Sequence, residues 1–391
     1  MAAPGPGYRI RDRYELHEIA GRGGMAIVWR ATQYGDAGFQ RTVAVKQMHD
    51  HLTESPLYVD MFAEEARVLA SMNSPNVATI YDFVAEKGAY FLVMEWIEGI
   101  DLGTYVHHFI DTEGKTRWDL ISGIGIGMMR GLAAAHERRA ADGQLVPVVH
   151  RDVSPHNILI TTEGQVKVID FGLSLARDRT KELTEPGIVK GKMSYLSPEI
   201  VAGRRPSPMS DQFAAGSVLW EALVGRKLFE GANDYEIYKK MRDCMVQPLR
   251  PLRRDVPREL AAVVHRALAA EESQRFASAR EMATHLAQVL RTNRAPRDMH
   301  EILGQTVTEA RVALSLGNRT AGEVSTTTPV ADIDPVTAQM QGAPPRNTPG
   351  DATPPAGMRT PPPRRSRSDT QPDAPEERKG LLHKIPFFWK R

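Results

Sequence analysis

The chain has 391 residues, 41% hydrophobic and 25% charged, an ordinary globular composition with enough length for two or three domains. Its formal net charge of +2 gives no general attraction to nucleic acid, so we expect no nucleic-acid partner. The single cysteine, Cys244, excludes intramolecular disulfides and multi-cysteine zinc sites. With no apolar core of a signal peptide at the start and no run of about 18 apolar residues, these features predict a cytoplasmic protein.

The first part of the chain is predicted to form a small β-sheet with one helix. Phe62, Ala66 and Leu69 recur at helical spacing, which predicts an amphipathic helix over Tyr58–Met72, between the third and fourth strands. Runs rich in β-branched and aromatic residues predict five strands: Tyr14–Ile19, Ala26–Thr32, Thr42–Met48, Ala78–Val84 and Ala89–Trp96.

After Gly99 the pattern changes to long helical stretches interrupted by one hairpin. The short β-prone runs Ile158–Ile160 and Val166–Ile169 are joined by TTEGQ, whose Glu-Gly step suits a tight turn. This pairing would bring Asn157 close to Asp170. The predicted helices include Leu120–Arg139, Ser210–Val224, Tyr235–Met245, Pro257–Ala270 and Ala277–Arg291.

The last part of the chain has the composition of a flexible segment that ends in a short binding peptide. Residues 318–378 are rich in Pro, Thr, Arg and Gly and are predicted to be disordered, because they offer too little apolar surface to bury. Residues 379–391, KGLLHKIPFFWKR, mix apolar, aromatic and basic side chains. We expect a peptide that docks on a partner protein, with weak peripheral membrane contact as the second interpretation.

Three polar side chains around the predicted hairpin carry the chemistry. Asp152 lies five residues before Asn157 on the loop that enters the hairpin, and Asp170 follows its second strand. Carboxylate and amide oxygens are the ligands that Mg²⁺ takes when it also holds phosphates. Any one of these residues alone would indicate only a polar turn.

Together, His150-Arg151-Asp152, Asn157 and Asp170-Phe171-Gly172 resemble the catalytic and metal-binding motifs of the protein kinase family. Gly23-Gly24-Met25 and the segment DQFAAG are similar to the eukaryotic-type bacterial serine/threonine kinases. The resemblance implies an α+β, bilobal fold, with ATP and Mg²⁺ or Mn²⁺ as cofactors. It also implies that Asp152 accepts or orients the proton of a substrate hydroxyl, while Asn157 and Asp170 hold the metal.

The resemblance extends through the folded part of the chain and implies an ATP site between two lobes. Lys46 would bind the α and β phosphates, paired with Glu65 rather than Glu64, which the helix turns towards solvent. The third glycine of the family's loop is replaced by Ala26. The implied cofactor-binding residues are Gly21, Gly23, Gly24, Val28, Ala44, Lys46, Glu65, Met94, Glu95, Ile97 and Leu159. Asp101 is a candidate ribose contact, with a solvated loop role equally open.

The implied domain boundaries follow from the same motifs. They are an N-terminal extension at 1–13, an N-terminal lobe at 14–98, a C-terminal lobe at 99–290, a helical extension at 291–317, the linker at 318–378 and the end segment at 379–391. Within the C-terminal lobe, the resemblance pairs Glu199 with Arg275, and Asp211 would brace the catalytic loop, residues 150–157.

Two departures from the family pattern are chemically linked. Ser154 stands where most serine/threonine kinases have lysine, and Lys192 stands where they have threonine. We hypothesise that they exchange roles, so that the catalytic set is Asp152, Lys46, Lys192 and Ser154. A pseudokinase scaffold is the alternative, whereas Pro198-Glu199 argues against a small-molecule phosphotransferase.

Arg151 and two nearby threonines suggest how the site would be regulated. A phosphate on Thr180, Thr184 or both would pair with Arg151 and order the segment between them. An unmodified polar loop is the alternative. The resemblance thus predicts a protein serine/threonine kinase that acts on protein substrates and is regulated by autophosphorylation.

Overall fold

The structure is a computed structural model, and it describes residues 4–140, 142–171 and 193–322. Several predictions fall outside these ranges: those for Gly172, Thr180, Thr184 and Lys192, and those for the chain after residue 322. Within them, the predicted bilobal α+β architecture is confirmed, with a sheet-rich N-terminal lobe and a helical C-terminal lobe.

The N-terminal lobe is a six-stranded antiparallel sheet in the order β1-β2-β3-β4-β6-β5. All five predicted strands are present, and α1 and α2 lie between β4 and β5. The additional strand, β1, lies within the predicted extension and is too short to show a periodicity. The elements are β1 (Arg9–Ile10), β2 (Tyr14–Arg22), β3 (Ala26–Tyr34), β4 (Gln40–Met48), α1 (Asp50–Thr53), α2 (Pro56–Ala70), β5 (Ile80–Glu86) and β6 (Ala89–Glu95).

The two faces of this sheet are buried against different partners, as the alternation of side chains along each strand requires. One face carries a hydrophobic cluster in which Ile10 of β1 and Leu16 of β2 are completely buried, and Tyr8 packs against it. The other face packs against α2 through Met48, Phe62 and Leu92. Because α2 covers this second face, any strand residue that shares it points towards the helix and the cleft.

The C-terminal lobe contains nine helices of α type and a small three-stranded antiparallel sheet within the described ranges. The predicted hairpin forms β8 and β9, and β7 pairs with β8. The elements are β7 (Gly99–Asp101), α3 (Leu102–Glu113), α4 (Trp118–His136), β8 (Ile158–Thr161), β9 (Val166–Val168), α5 (Pro198–Val201), α6 (Pro208–Val224), α7 (Asp234–Arg242), α8 (Leu249–Leu252), α9 (Arg258–Ala267), α10 (Ala279–Thr292) and α11 (Met299–Gly322).

Helices α4 and α6 form the centre of this lobe and are buried along most of their length. A Cβ atom at Gly131 would lie 2.5 Å from the Asn76 carbonyl oxygen and 2.6 Å from a methyl group of Val168, so only glycine lets α4 come this close to the hairpin. Helix α6 begins at a capping box in which Ser207 and Ser210 exchange hydrogen bonds. Both features help to position the helices and the hairpin around the catalytic loop.

Among the described residues, no helix combines the length and apolar character needed to cross a bilayer.

Candidate active site

The centre of the site is a lysine held between two carboxylates from different lobes. Lys46 Nζ lies 2.9 Å from Glu65 Oε1 and 2.9 Å from Asp170 Oδ1. The predicted pairing with Glu65 is therefore present, and the exposed Glu64 contacts Arg67 instead. The helical stripe of α2 distinguishes the two glutamates, because it turns only Glu65 inward.

Electrostatics keep the lysine of this cluster charged. Burial alone would lower the pKa of Lys46, but the attraction of Asp170 and Glu65 raises it above its usual value. Burial raises the pKa of Glu65, and the neighbouring ammonium opposes that change. Lys46 is thus a fixed cation at the floor of the cleft, which is the property that phosphate binding needs.

The register of the sheet aligns other predicted nucleotide-binding residues with Lys46. Gly21 pairs with Val28, and Val28 pairs with Lys46, so all three lie in one row across β2, β3 and β4. Ala44 lies two residues before Lys46 on the same face and pairs with Met94 on β6. The structure therefore brings these five residues to one surface of the sheet.

The catalytic loop holds Asp152 and Asn157 against each other. Asn157 Nδ2 donates to the Asp152 carbonyl oxygen at 2.7 Å and to Asp152 Oδ2 at 3.1 Å. With its nitrogen committed to Asp152, the Asn157 amide directs its oxygen away from that carboxylate. The predicted convergence of Asp152 and Asn157 is present.

The loop's backbone is anchored by a buried aspartate at the start of α6. Asp211 accepts hydrogen bonds from the backbone N–H groups of His150 at 2.7 Å and Arg151 at 2.9 Å, as the predicted brace requires. His136 contributes a third bond, with Nε2 2.7 Å from Asp211 Oδ2. Burial raises the pKa of Asp211, but these donors outweigh it and lower the pKa below its usual value. The sequence analysis missed His136, because a histidine at the end of a helix carries no local signal.

His150 connects this brace to the segment that begins with Asp170. Its Nε2–H donates to the Ile169 carbonyl oxygen at 3.0 Å, while Nδ1 accepts from the Asp152 backbone N–H at 3.2 Å. Two such partners require a neutral imidazole, and burial lowers the pKa of His150 accordingly. Its ring contacts the buried Phe171, with centroids 4.5 Å apart.

Two residues of the site adopt a left-handed backbone conformation without being glycine. Arg151 has φ of 69° and Asp170 has φ of 53°. Such conformations cost of order 1 kcal/mol or more, and they persist where surrounding contacts determine them. Here the contacts are the Asp211 anchor for Arg151 and the Lys46 ion pair for Asp170.

The segment that joins the lobes is tied to the C-terminal lobe through Glu95. The Glu95 carboxylate binds Lys167 Nζ at 2.7 and 2.9 Å, and its backbone N–H donates to the Thr79 carbonyl oxygen. That N–H group is therefore bonded to Thr79, just before β5, so a predicted adenine contact at Glu95 would use the Glu95 carbonyl group. Ile97 is partly buried, and Leu159 on β8 pairs with both Asp101 and Lys167.

A histidine that the sequence analysis did not identify holds the glycine-rich loop. The His49 Nε2–H donates to the Gly23 carbonyl oxygen at 2.8 Å, and the His49 backbone N–H donates to the Met25 carbonyl oxygen at 3.0 Å. Gly23 also closes the hairpin by donating to Ala26. His49 thus positions both sides of the loop tip from the end of β4.

Asp101 has partners within the protein, and its predicted ribose contact stays a prediction. As the N-cap of α3 it accepts from the Thr104 N–H at 3.0 Å and from the Thr104 hydroxyl at 2.6 Å. His156 Nδ1 lies 2.9 Å from Asp101 Oδ1, the oxygen that also accepts from the Thr104 N–H. A Cβ at Gly103 would approach the His156 ring to 2.9 Å, so this glycine leaves the space for the imidazole.

A second buried ion pair stabilises the base of the C-terminal lobe. Arg275 binds both carboxylate oxygens of Glu199 at 2.7 and 2.8 Å, and both side chains are essentially inaccessible to solvent. This is the pair predicted from the sequence. Nearby, the Tyr195 hydroxyl donates to Glu221 at 2.8 Å, and Ser154 is buried within the catalytic loop.

Comparison with known proteins gives the same family along most of the chain. The model of the protein kinase domain matches residues 14–287. The PknI kinase domain of Mycobacterium tuberculosis aligns with a TM-score of 0.53 and 22% identity, covering 74% of this chain and all of that structure. At that identity the structural likeness supports the fold alone.

Three curated relatives are more similar in sequence. Tyrosine-protein kinase MasK of Myxococcus xanthus is 36% identical over 273 residues, covering 70% of this chain and 42% of that protein. Serine/threonine-protein kinase PrkC of Bacillus subtilis is 32% identical, covering 71% and 40%. Serine/threonine-protein kinase PknA of Mycobacterium tuberculosis is 32% identical, covering 75% and 65%. The chain therefore spans between about two fifths and two thirds of the length of these relatives.

Proposed function

The chain belongs to the protein kinase family, and we propose that it transfers the γ-phosphoryl group of ATP to serine and threonine hydroxyls of proteins. The observation that carries the proposal is the assembled site, in which Lys46 contacts Glu65 and Asp170 while Asp152 contacts Asn157. Phosphoryl transfer needs positioned charges more than it needs covalent chemistry, and this site supplies them.

Each charged group has a role in the proposed reaction. Lys46 binds the phosphates of ATP, and Glu65 keeps its ammonium in place. Asp152 accepts the proton of the attacking hydroxyl, and Asn157 fixes the orientation of the Asp152 carboxylate through its amide nitrogen. Asp211 keeps the loop that carries Asp152 in register through the backbone of His150 and Arg151.

The residues around Asp170 fit a magnesium ion by their donor chemistry. Asp170 supplies carboxylate oxygens, and the Asn157 amide oxygen is directed away from Asp152, so hard oxygen donors are available. Mg²⁺ or Mn²⁺, when bound, would neutralise charge on the phosphates. Asp170 and Asn157 are the residues that would hold it.

The similarity to MasK makes tyrosine the alternative acceptor residue. MasK, at 36% identity, is named a tyrosine kinase, whereas PrkC and PknA are named serine/threonine kinases. We favour serine and threonine because the catalytic loop HRDVSPHN lacks the Ala-Ala-Arg or Arg-Ala-Ala sequence after Asp152 that is typical of tyrosine kinases.

The test uses purified full-length chain, radiolabelled ATP and a generic basic protein substrate, beside an Asp152→Asn control. We expect label on serine and threonine that disappears in the control, as read by phosphoamino acid analysis. Label on tyrosine alone would instead indicate a tyrosine kinase. Nucleotide binding without any incorporation would instead indicate a pseudokinase scaffold.

Autophosphorylation belongs to the same proposal. Arg151 is half-buried, burial lowers its pKa, and its Nε atom has no hydrogen-bond partner among the described residues. A phosphate on Thr180 or Thr184 would satisfy this guanidinium by charge-assisted hydrogen bonds. Phosphopeptide mapping of active enzyme checks this, and finding neither threonine modified would contradict it.

We further propose that Lys192 supplies the ammonium, and Ser154 the hydroxyl, that most relatives take from the opposite positions. Ser154 is buried within the catalytic loop, immediately before the turn Pro155–Asn157, so it supplies a hydroxyl inside that loop. A Lys192→Ala variant should lose most of its phosphotransfer activity. Full activity in that variant would exclude the exchange.

Residues 379–391 are proposed to dock on a partner protein, with contact to a membrane surface as the competing outcome. The basis is the mixture of aromatic and basic side chains in that segment. Sedimentation with anionic liposomes, comparing the full chain with one truncated after Lys379, separates the two outcomes. Equal sedimentation of both chains would exclude the membrane interpretation.

A further inference from the structure

Helix α11 lies beyond residues 14–287, which the kinase family model matches, yet it packs as part of the C-terminal lobe. Its apolar side chains Leu303, Val307 and Ala310 are buried in the core of that lobe. The Tyr105 hydroxyl of α3 lies 3.3 Å from Thr306 Oγ1. This helix is therefore an integral part of the C-terminal lobe. Its contacts extend towards the proposed nucleotide site.

The backbone of α11 contacts the turn of the β8–β9 hairpin closely at two glycines, one in each element. A Cβ at Gly164 would lie 1.9 Å from the His300 carbonyl oxygen, and a Cβ at Gly304 would lie 2.3 Å from the Thr162 carbonyl oxygen. The His300 ring donates from Nδ1 to the Gly164 carbonyl oxygen at 3.0 Å. No larger residue fits at either position without moving the helix or the turn, so the two elements are held in one geometry.

The same helix reaches the segment that joins the two lobes. Arg311 forms an ion pair with Glu98, and Glu98 also accepts a hydrogen bond from Trp96 Nε1 at 2.8 Å. On the N-terminal lobe, the guanidinium of Arg30 lies 5.8 Å from the centroid of the Trp96 ring and contacts Glu18. A continuous set of contacts thus runs from β3, across the joining segment, to α11.

Both places that α11 contacts are directly connected to the nucleotide site. Glu98 follows Ile97 and leads into β7, and its carbonyl oxygen accepts from the Thr162 N–H at the hairpin turn. The hairpin begins immediately after Asn157 and carries Leu159 on β8. A shift of α11 would therefore move the segment that borders adenine together with the strand beneath it.

We propose that α11 is a positioning element for ATP, which holds Glu98 and the β8–β9 hairpin in the geometry that binds nucleotide. Gly304 and Arg311 are its positioning residues, acting through Thr162 and Glu98. The inference rests on the proposed function in one respect, that the cleft binds ATP. It does not depend on phosphotransfer, so binding alone can test it.

The main experiment replaces Gly304 by alanine in the full chain and measures the Kd for a fluorescent ATP analogue. Gly123→Ala on α4 is the matched control, because both changes add the helix propensity of alanine. The Gly123 Cβ would touch α11 only at the Met299 methyl group, at an ordinary van der Waals distance of 3.4 Å. Leu286→Ala, in the core of the lobe on α10, controls for a general loss of stability. We expect Gly304→Ala to weaken binding about tenfold, with both controls within about twofold of wild type.

A milder pair of variants tests the joining segment without disturbing the core. Arg311→Gln should weaken nucleotide binding about two- to threefold, because the ion pair is partly exposed. Arg311→Lys should restore most of the loss. A variant with Glu98→Gln and Arg311→Gln together should be no weaker than either single change, since both remove the same contact.

The outcomes separate the two ideas. A wild-type chain that binds no nucleotide overturns the proposed function and this inference with it. A wild-type chain that binds, with Gly304→Ala equal to its controls, overturns the inference alone. If Gly304→Ala does not fold, Arg311→Gln decides: weakened binding restored by lysine supports the inference, and unchanged binding overturns it.

Discussion

Replacing Glu65 by glutamine removes one charge from the centre of the site while keeping the shape of the side chain. Lys46 donates to Glu65 and Asp170 at equal distances of 2.9 Å, so its ammonium is shared between α2 and the β8–β9 hairpin. In the variant the amide oxygen still accepts a hydrogen bond, but the attraction between opposite charges is lost. We expect Lys46 to move towards Asp170, away from the position where it binds phosphate.

The magnitude follows from the difference between two kinds of hydrogen bond. A bond to a charged partner contributes about 1.5–3 kcal/mol and a neutral one about 0.5–1.5 kcal/mol, so the change loses about 1–2 kcal/mol. If that loss falls on the transition state, kcat/KM decreases about 5- to 30-fold. The folded state keeps the Asp170 partner, so we expect the thermal midpoint to change less than the activity does.

The assay is steady-state transfer from radiolabelled ATP to a generic basic protein, with Glu64→Gln as the matched control. Glu64 is the neighbouring residue and makes an exposed ion pair with Arg67, worth about 0.3–0.5 kcal/mol, so its loss should change kcat/KM by no more than about twofold. The reasoning is refuted if Glu65→Gln stays within twofold of wild type. It is equally refuted if Glu64→Gln loses as much activity.

Three further variants test contacts away from Lys46. His49→Ala should raise the KM for ATP several-fold with little change in kcat, because it removes the hydrogen bond to the tip of the glycine-rich loop. His49→Gln should restore part of the loss. An unchanged KM in His49→Ala would contradict this prediction. Arg275→Met leaves Glu199 charged and buried, so we expect about 3–5 kcal/mol of destabilisation in urea unfolding, and less than about 1 kcal/mol would be inconsistent. The hydrogen bond that His156 donates to Asp101 raises the pKa of His156, so the stabilisation from this bond is complete below the unfolded pKa of about 6.5 and disappears as pH rises through the folded value. The difference in thermal midpoint between wild type and His156→Gln should therefore grow from pH 8.5 to pH 6, and a difference independent of pH would exclude this account.

The parts of the site that sequence could predict are those with a local signal. The stripe of α2 distinguishes Glu65 from Glu64, and the hairpin pattern predicts that the ends of β8 and β9 meet. The contact of Asp101 with Thr104 also had a local signal, since aspartate three residues before a threonine at a helix start is a typical N-cap.

The remaining contacts join residues that are far apart in the chain and show no periodicity. His136 and Asp211 are 75 residues apart, and Arg311 and Glu98 are 213 apart. Each is one polar residue on an otherwise ordinary helix or loop, and only the packing of whole elements brings the pair together. For the same reason, a helical extension could be predicted near residue 300, but its packing against the hairpin turn could not.

The contacts of Lys46 suggest how the lobes respond when phosphate arrives. The Glu65 side chain is 4% exposed and that of Asp170 is 39% exposed, so phosphate oxygens approaching Lys46 meet Asp170 at the accessible side. Binding would then exchange the Lys46–Asp170 contact between the lobes for one through the phosphates, while Glu65 stays in place. The contacts of Glu98 with Trp96 and α11 involve none of the groups proposed to bind phosphate. Loosening α11 should therefore change nucleotide affinity first, whereas loosening Glu65 should change the rate of transfer from ATP already bound.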